Sequence, residues 1–402
     1  MHVVYNLLLE TLKSILKIIG KFNPKINSFL LERENQVVPA NLEGCIWIHS
    51  ASLGEFEQGR PIIEKIKSTW PDKKIALTFF SASGYNARKN YEYADWVGYL
   101  PVDTKNDSKN FINILNPSLA IFVKYEFWFN HLDRLIAHQI PFIYISTYWW
   151  NGHFLLKPWN QWLMKKVKYA NAIFVQDLGS KKYLEQTGYT HAIVAGDTRI
   201  DRVLTIRNHC DPPPLFKKLI SSKPLFIAGS TWPEDEKIIK KWYEGNPSFN
   251  LIIVPHEISA AAISDTTILF SEYSPMLYTQ WKGEDFKVLI VNKIGFLSLI
   301  YTYATIAYIG GGFGKGIHNT LEAAVYGIPV LFGPNYHSFR EAIDLIKFKI
   351  GFSINSDTEL KEMVDYLSDE KLKNIHSLAE QYFNQNKGAT ELIVNYLNKF
   401  IK

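Results

Sequence analysis

A chain of 402 residues is too long for one ordinary core and suits two domains of roughly 150 to 200 residues each. With 47% hydrophobic, 21% charged and 14% aromatic residues it reads as globular, which excludes a disordered or low-complexity chain. The 44 Lys and Arg against 39 Asp and Glu leave a net charge of +5, too mild for a dedicated nucleic-acid binder but compatible with acidic small molecules or an anionic membrane face.

The amino terminus reads "MHVVYNLLLETLKSILKIIGKFNPK", with Asn6, Glu10, Lys13 and Lys17 interrupting an otherwise apolar run. It is too polar for a spanning helix and lacks the small-residue cleavage site of a signal peptide, so it is expected to stay attached. Val4, Leu8, Leu12, Ile15 and Ile19 fall on one helical face, while Lys13, Lys17 and Lys21 repeat on another. Two arrangements fit this pattern: a helix lying on a membrane surface, and an amphipathic helix packed on its own domain.

Short apolar runs then alternate with helical patterns. "CIWIHS", "KIALTFF", "LAIFVK", "FIYIST", "AIFVQD" and "HAIVAG" occupy the first half, and "PLFIAGS", "NLIIVP", "KVLIVN", "IAYIGGG" and "IPVLFGP" the second. Strands spaced by helices imply parallel βα units. The run "NHCDPPPLF" breaks both periods, which gives an amphipathic segment 1–21, a first domain 22–207, a linker 208–222 and a second domain 223–402. The stretch from about His376 to Ile401 follows the last strand as helix and is free to return to the first domain. In open sheets of this kind ligands bind beyond the carboxyl ends of the strands, so two facing sheets put the site between the domains. Cys45 and Cys210 lie far apart with no CxxC spacing and no flanking His pair, a pattern of a reduced compartment without a metal site.

Two blocks carry chemistry. In "HSASLGEFEQGRP", residues 49–61, a strand empties into small residues, a glycine and an acid, placing Glu55 at a helix start. Glu55 is read either as a base for an attacking hydroxyl or as an ordinary first-turn acid, and Glu57 as the latter. In "YIGGGFGKGIHNTLEAAVYGIPVLFGPN", residues 308–335, a strand ends in three glycines, Gly-Lys-Gly follows and a helix is expected to begin near Asn319. Glycines bring backbone N–H groups close to an oxyanion, so this loop suits phosphate, although it matches neither the P-loop nor GxGxxG. Glu322 either accepts hydrogen bonds from a ribose diol or is a first-turn glutamate favoured by the helix dipole.

"HSASLGE", "YEFWFN", "GDTRID", "IGFLSLIYTYATIAYIGGGF" and "GIHNTLEAAVYGIPVLFGPN", in this order over almost the whole chain, resemble the 3-deoxy-D-manno-octulosonic acid (Kdo) transferases of lipid A synthesis. The resemblance implies an α/β GT-B glycosyltransferase with two Rossmann-like domains facing a central cleft. It further implies CMP-Kdo as donor, a lipid A precursor of lipid IVA type as acceptor, inversion at the anomeric carbon, no metal or other cofactor and no nucleic-acid partner. Such an enzyme would sit at the cytoplasmic face of the inner membrane. By this likeness Glu55 is the catalytic base. Ser52 and Gly54 let the acceptor sugar come close, and Glu126, beside Trp128 and Asn130, orients the acceptor. Arg60 either neutralises an acceptor phosphate or pairs with Glu57. CMP falls to Ser230, Thr231, Gly295, Gly311, Gly312, His318, Asn319 and Glu322, with Lys315 meeting leaving-group charge. His256 stands in "PHEIS", where the family carries a nucleotide-contacting arginine. Lys124, Tyr125, Phe129, the segment "STYWWNG" and Trp232 depart from the family pattern, which bears on substrate detail more than on chemistry.

Overall fold

The computed structural model describes residues 2–219, 223–245 and 248–401, which fold as two compact units, one of residues 1–201 with 387–402 and one of residues 202–386. The first unit is built on seven parallel strands: β1 Ile46–Ser50, β2 Ile75–Phe79, β3 Trp96–Tyr99, β4 Leu119–Val123, β5 Phe142–Thr147, β6 Ala172–Val175 and β7 Ala192–Val194. Their order is β3-β2-β1-β4-β5-β6-β7. The apolar runs form such strands because both faces of a parallel sheet are covered, and successive side chains enter opposite layers. Trp47 joins Phe122, Phe142 and Tyr144 on one face, while Ile46 and Ile48 join Ile121, Val123 and Ile143 on the other.

The strand order reverses between β1 and β4, the crevice where open sheets take ligands. Helix Leu53–Thr69 follows β1 and lies close on the sheet, since a Cβ on Gly59 would stand 2.9 Å from Val123. The expected carboxy-terminal helical stretch is two helices, Asp369–Asn386 and Ala389–Leu397, broken at Gly388 with a φ of 103°. The latter helix belongs to the first unit, where Ile393, Val394 and Leu397 complete the layer of Ile46 and Ile48. Asp201 accepts the N–H groups of Gly388 and Thr390, each at 2.6 Å, and so fixes its start.

Helix His2–Gly20 uses its polar residues to pack. The Tyr5 hydroxyl donates to Asp103 at 2.6 Å and the Asn130 amide to Asn6 at 2.7 Å. The ammonium groups of Lys13 and Lys17 meet Asp107 at 2.6 Å and Glu34 at 2.8 Å. Lys13 and Lys17 thus face carboxylates of their own unit, because Asp107 and Glu34 lie within reach of one helical face. Of the three lysines expected among headgroups, Lys21 alone is without an ion pair among the described residues. The apolar face stays in solvent, with Val4, Leu8, Leu12, Ile15 and Ile19 between 42% and 63% exposed. Among the described residues no helix is long and apolar enough to cross a membrane.

The second unit repeats the architecture with β8 Leu225–Thr231, β9 Asn250–Pro255, β10 Met276–Leu277, β11 Val288–Ile290, β12 Ile306–Ile309, β13 Val330–Phe332 and β14 Gly351–Ser353. All pairings are parallel, in the order β10-β11-β9-β8-β12-β13-β14, so the reversal falls between β8 and β12. The division between the units falls at Asp201–Arg202, inside helix Thr198–His209 and ahead of the proline run. Within that run Pro214–Leu219 forms a short 3₁₀ helix whose Phe216 and Leu219 are buried in the second unit; residues 220–222 of the expected linker lie outside the described residues.

Candidate active site

At the carboxyl ends of β1 and β4 the chain gathers two carboxylates. Ser52 caps helix Leu53–Thr69 and Glu55 occupies its third position in a reciprocal capping box. The Ser52 N–H donates to Glu55 Oε2 at 3.0 Å, its hydroxyl does so at 3.3 Å, and the Glu55 N–H donates to Ser52 Oγ at 3.4 Å. Glu55 Oε1 accepts no hydrogen bond among the described residues. Capping bonds favour the carboxylate, yet burial, with the neighbouring Glu126 next, pushes the Glu55 carboxyl above its ordinary value against the opposing charge of Lys124. The first-turn acid and the candidate base are thus one residue, and burial outweighs the cap.

Glu126 follows β4 in a loop that begins with Lys124 in the left-handed region, φ 62°. That conformation is costly for lysine and turns the chain sharply out of the strand. Glu126 is only 7% exposed, and its Oε2 accepts from Trp128 Nε1 at 2.7 Å and from His49 Nε2 at 3.0 Å. Behind His49, Trp47 Nε1 donates to Thr78 Oγ1 at 2.8 Å, and that hydroxyl lies 2.9 Å from His49 Nδ1. His49 Nδ1 also lies 3.1 Å from the Thr78 carbonyl oxygen, so the ring is held at both nitrogens. His49 has no counterpart among the expected site residues; the signal for it was an imidazole directly after the apolar run Ile46-Trp47-Ile48 of β1.

The remaining residues of this half divide. Ser52 is engaged in the cap. A Cβ on Gly54 would meet only Ser52 Oγ, at 4.0 Å, so the fold does not require this glycine, and its absence of side chain leaves the helix start open. Arg60 donates to Glu64 at 2.6 Å and stands 3.8 Å from Glu57, which has Arg88 at 2.8 Å; the expected Arg60–Glu57 pair is the weaker of its two. Asp197 is held below its ordinary value by Arg199, 2.6 Å away, which outweighs desolvation, and Lys124 adds to this effect.

In the second unit Ser230, at φ 53° within β8, and Thr231 end the strand at its reversal point. The Thr231 hydroxyl is buried and donates to Glu236 at 2.8 Å, so it serves the fold. Trp232 stacks on His256, ring centroids 4.7 Å apart, and His256 stacks on His318 at 4.4 Å. Trp232 Nε1 donates to His318 Nε2 at 3.1 Å, which places the His318 proton on Nδ1; burial and His256 lower this imidazole to about 4 and keep it neutral.

Asp235, absent from the sequence reading, ties the glycine loop to this turn. Its Oδ2 accepts the N–H groups of Trp232 at 2.9 Å and Gly311 at 2.8 Å, and its Oδ1 accepts the Tyr308 hydroxyl at 2.7 Å. The N–H groups of Gly314 and Gly316 turn inward to the Gly311 carbonyl, so part of the expected phosphate cradle closes on itself. Gly311 has a φ of 93°, and a Cβ on Gly312 would stand 2.6 Å from Gly333, so both glycines are demanded by the fold. Lys315 is exposed at the loop tip, and Gly295 turns the chain before Phe296 with a φ of 101°. The helix expected from Asn319 is a single turn, Leu321–Ala324, because Gly327 at φ 74° and Pro329 end it. Glu322 accepts from the Asn319 amide at 3.0 Å. Among the described residues no three His, Cys, Asp or Glu side chains gather as a metal site.

Two seven-stranded parallel sheets, each reversing at a loaded crevice, are the architecture of GT-B glycosyltransferases and related sugar-nucleotide enzymes. The UDP-GlcNAc 2-epimerase from Neisseria meningitidis superposes with a TM-score of 0.59 at 14% identity, over 88% of this chain and 99% of that one. Acinetobacter baumannii MurG does so at 0.57 and 10% identity, with the same coverage. Residues 27–202 match the family described as "3-Deoxy-D-manno-octulosonic-acid transferase (kdotransferase)". That stretch, which holds Glu55 and Glu126, is similar to a Kdo transferase domain, and the likeness extends beyond it: the chain is 28% identical over 350 residues to the 3-deoxy-D-manno-octulosonic acid transferase of Aquifex aeolicus, covering 82% of this chain and 88% of that relative.

Proposed function

We propose that this glycosyltransferase moves Kdo from CMP-Kdo to a lipid A precursor of lipid IVA type, with inversion, in lipopolysaccharide synthesis. The observation that carries the reading is Glu55, half-buried at the end of β1 in the stretch similar to a Kdo transferase domain, with one carboxylate oxygen uncommitted and its basicity raised by burial. The acceptor hydroxyl oxygen attacks the ketosidic carbon of CMP-Kdo while Glu55 takes the hydroxyl proton. The bond to the phosphate oxygen breaks, and its electron pair leaves with CMP. A base whose affinity for protons is raised above that of a free carboxylate is better matched to this transfer near neutral pH. Glu126, anchored through Oε2 by His49 and Trp128, presents Oε1 to the acceptor and keeps a negative charge beside Glu55.

The donor is assigned to the second unit. The Nδ1–H of neutral His318, the Ser230 hydroxyl, Lys315 and Asn319 meet the phosphate, and Glu322 the ribose diol. Protein donors of this kind stabilise the departing phosphate without a resident metal ion. The exposed face of helix His2–Gly20 holds the enzyme at the cytoplasmic face of the inner membrane, where a lipid acceptor lies.

The test is incubation with CMP-Kdo and a tetra-acylated lipid A precursor, followed by product mass spectrometry, with UDP-sugars as alternative donors. Acceptor-dependent release of CMP and a product heavier by Kdo are expected. Turnover of a UDP-sugar with CMP-Kdo inert would replace the reading with that of another GT-B sugar-nucleotide enzyme.

A further inference from the structure

Beyond β5 the segment 148–160 folds as a turn and two short 3₁₀ helices, Phe154–Leu156 and Pro158–Asn160. Trp149, His153 and Leu155 are buried and pin it down, the rings of Trp149 and His153 lying 4.3 Å apart. Other residues of the segment face outward: Trp150 is 42%, Phe154 44% and Trp159 63% exposed. Scattered apolar residues on a surface are ordinary, but three large aromatics displayed by so short a segment mark an interaction surface.

Three further observations say what covers it. First, the charge is one-sided: no Asp or Glu occurs between Asp133 and Asp177, whereas Arg134, Lys157, Lys165, Lys166 and Lys168 do. Lys157 and Lys165 are exposed and have no ion pair among the described residues, and the Lys157 ammonium lies 5.6 Å from the Trp159 ring. Second, the segment adjoins the first helix: Trp162, two residues beyond it, packs on Tyr5 at 5.4 Å, and that helix carries the exposed Val4 and Leu8. Third, it is built on the loop of Glu126, since Trp150 packs on Tyr125 at 6.1 Å and Phe154 on Phe127 at 5.8 Å.

We propose that residues 148–160, with Lys157 and Lys165, are a second membrane-contacting surface that seats in the headgroup region of an anionic phospholipid bilayer beside the acceptor half of the active site. Tryptophan favours that region because its ring is apolar and its N–H is polar, and lysines next to it gain from anionic headgroups. Helix His2–Gly20 alone would tether the enzyme with little control of its orientation, because Lys13 and Lys17 are tied to Asp107 and Glu34. A second contact next to Tyr125 and Phe127 fixes which side of the first unit meets the lipid. The inference rests on the lipid-acceptor reading above.

The test uses the full chain and vesicles of phosphatidylethanolamine with phosphatidylglycerol, against phosphatidylcholine vesicles, read by sedimentation. Phe154→Ser with Trp159→Ser is expected to weaken binding to the anionic vesicles at least about tenfold, the scale of losing two interfacial aromatics. Thermal melting and turnover of a detergent-dispersed acceptor should stay as in the parent. Lys157→Glu with Lys165→Glu should weaken binding to the anionic vesicles only. Unchanged binding of the aromatic variant overturns the proposal and leaves the first helix as the sole anchor. Should that variant misfold, unchanged binding of the lysine variant overturns it equally. A parent chain that ignores vesicles yet turns over dispersed acceptor overturns the membrane surface while sparing the transferase reading. A concentration-dependent dimer lost in the aromatic variant would overturn it in favour of a second copy of the chain.

Discussion

The two units place an acid at the same topological position and use it differently. Glu55 and Asp235 are each the third residue of the helix that follows a strand at the reversal point, and each returns a bond to the N–H of its cap. Asp235 is 1% exposed and also accepts from Gly311 and Tyr308, so it holds a strand end, a glycine loop and a helix together. Glu55 gives one oxygen to Ser52 and keeps the other. Burial raises both carboxyls above their usual range, but only Glu55 has a second acid, Glu126, as a principal further cause. The lesson is that a capping box does not define an acid as structural; the number of donors that converge on it does.

The comparison is broken most forcefully at Asp235. Asp235→Ala leaves the Trp232 and Gly311 N–H groups and the Tyr308 hydroxyl without their acceptor, at about 1 to 3 kcal/mol for each buried group. A loss of about 3 kcal/mol or more of stability is expected in denaturant titration, and a smaller loss would mean that water replaces the carboxylate. Glu55→Gln should do the reverse. Glutamine keeps the capping bonds, so the fold and CMP affinity should hold while turnover falls about a hundredfold or more. Calorimetric CMP binding beside a rate assay reads both halves, and near-normal turnover would remove Glu55 from the mechanism.

Glu55→Gln also has a stability consequence with a definite sign. The folded carboxyl titrates above its unfolded value, so the stability associated with this group is fully present below the ordinary carboxylate range and declines as pH rises through the raised value. The glutamine variant escapes that decline. It should melt above the parent near neutral pH and together with it in acid, which scanning calorimetry across this window checks.

What the sequence made legible follows from distance along the chain. Eleven strands were visible as apolar runs, because a strand covered on both faces needs nearly every residue apolar. The three that were not, β3, β10 and β14, stand at or next to sheet edges, are two to four residues long and are only partly buried. Glu55 was legible because cap, glycine and acid are contiguous. The Asp235 network was not, since Tyr308 and Gly311 lie 73 and 76 positions away. Nor was the pairing of Lys13 and Lys17 with Asp107 and Glu34, because a helical wheel shows which side chains share a face but not what that face meets. The glycines of residues 310–316 suggested a phosphate cradle on composition, whereas close backbone contacts account for Gly311 and Gly312.

A smaller effect is expected at Glu322. Its carboxylate is already bonded to Asn319, so Glu322→Ala should weaken CMP by about 1 to 3 kcal/mol, the scale of one charge-assisted bond, and affect turnover at saturating donor less. Unchanged CMP affinity in calorimetry would return Glu322 to the role of a first-turn acid.

The finest prediction tests the second cause of Glu55's raised basicity. Glu126 lies close enough for its charge to oppose ionisation of Glu55, while His49 and Trp128 bond only its Oε2. Glu126→Gln removes that charge and retains a carbonyl oxygen for both donors, provided the amide turns its oxygen towards them. Glu55 should then release its proton more readily, and the acidic limb of the kcat/KM profile should move to lower pH, because the base is ionised over a wider range. The plateau should also fall, since a carboxylate with weaker affinity for protons is a poorer base. A limb that stays in place while the plateau falls would assign Glu126 to orienting the acceptor alone. A limb that moves with the plateau intact would mean that proton transfer does not limit the rate. Only the two changes together support a pair of acids in which one is the base and the other sets its strength.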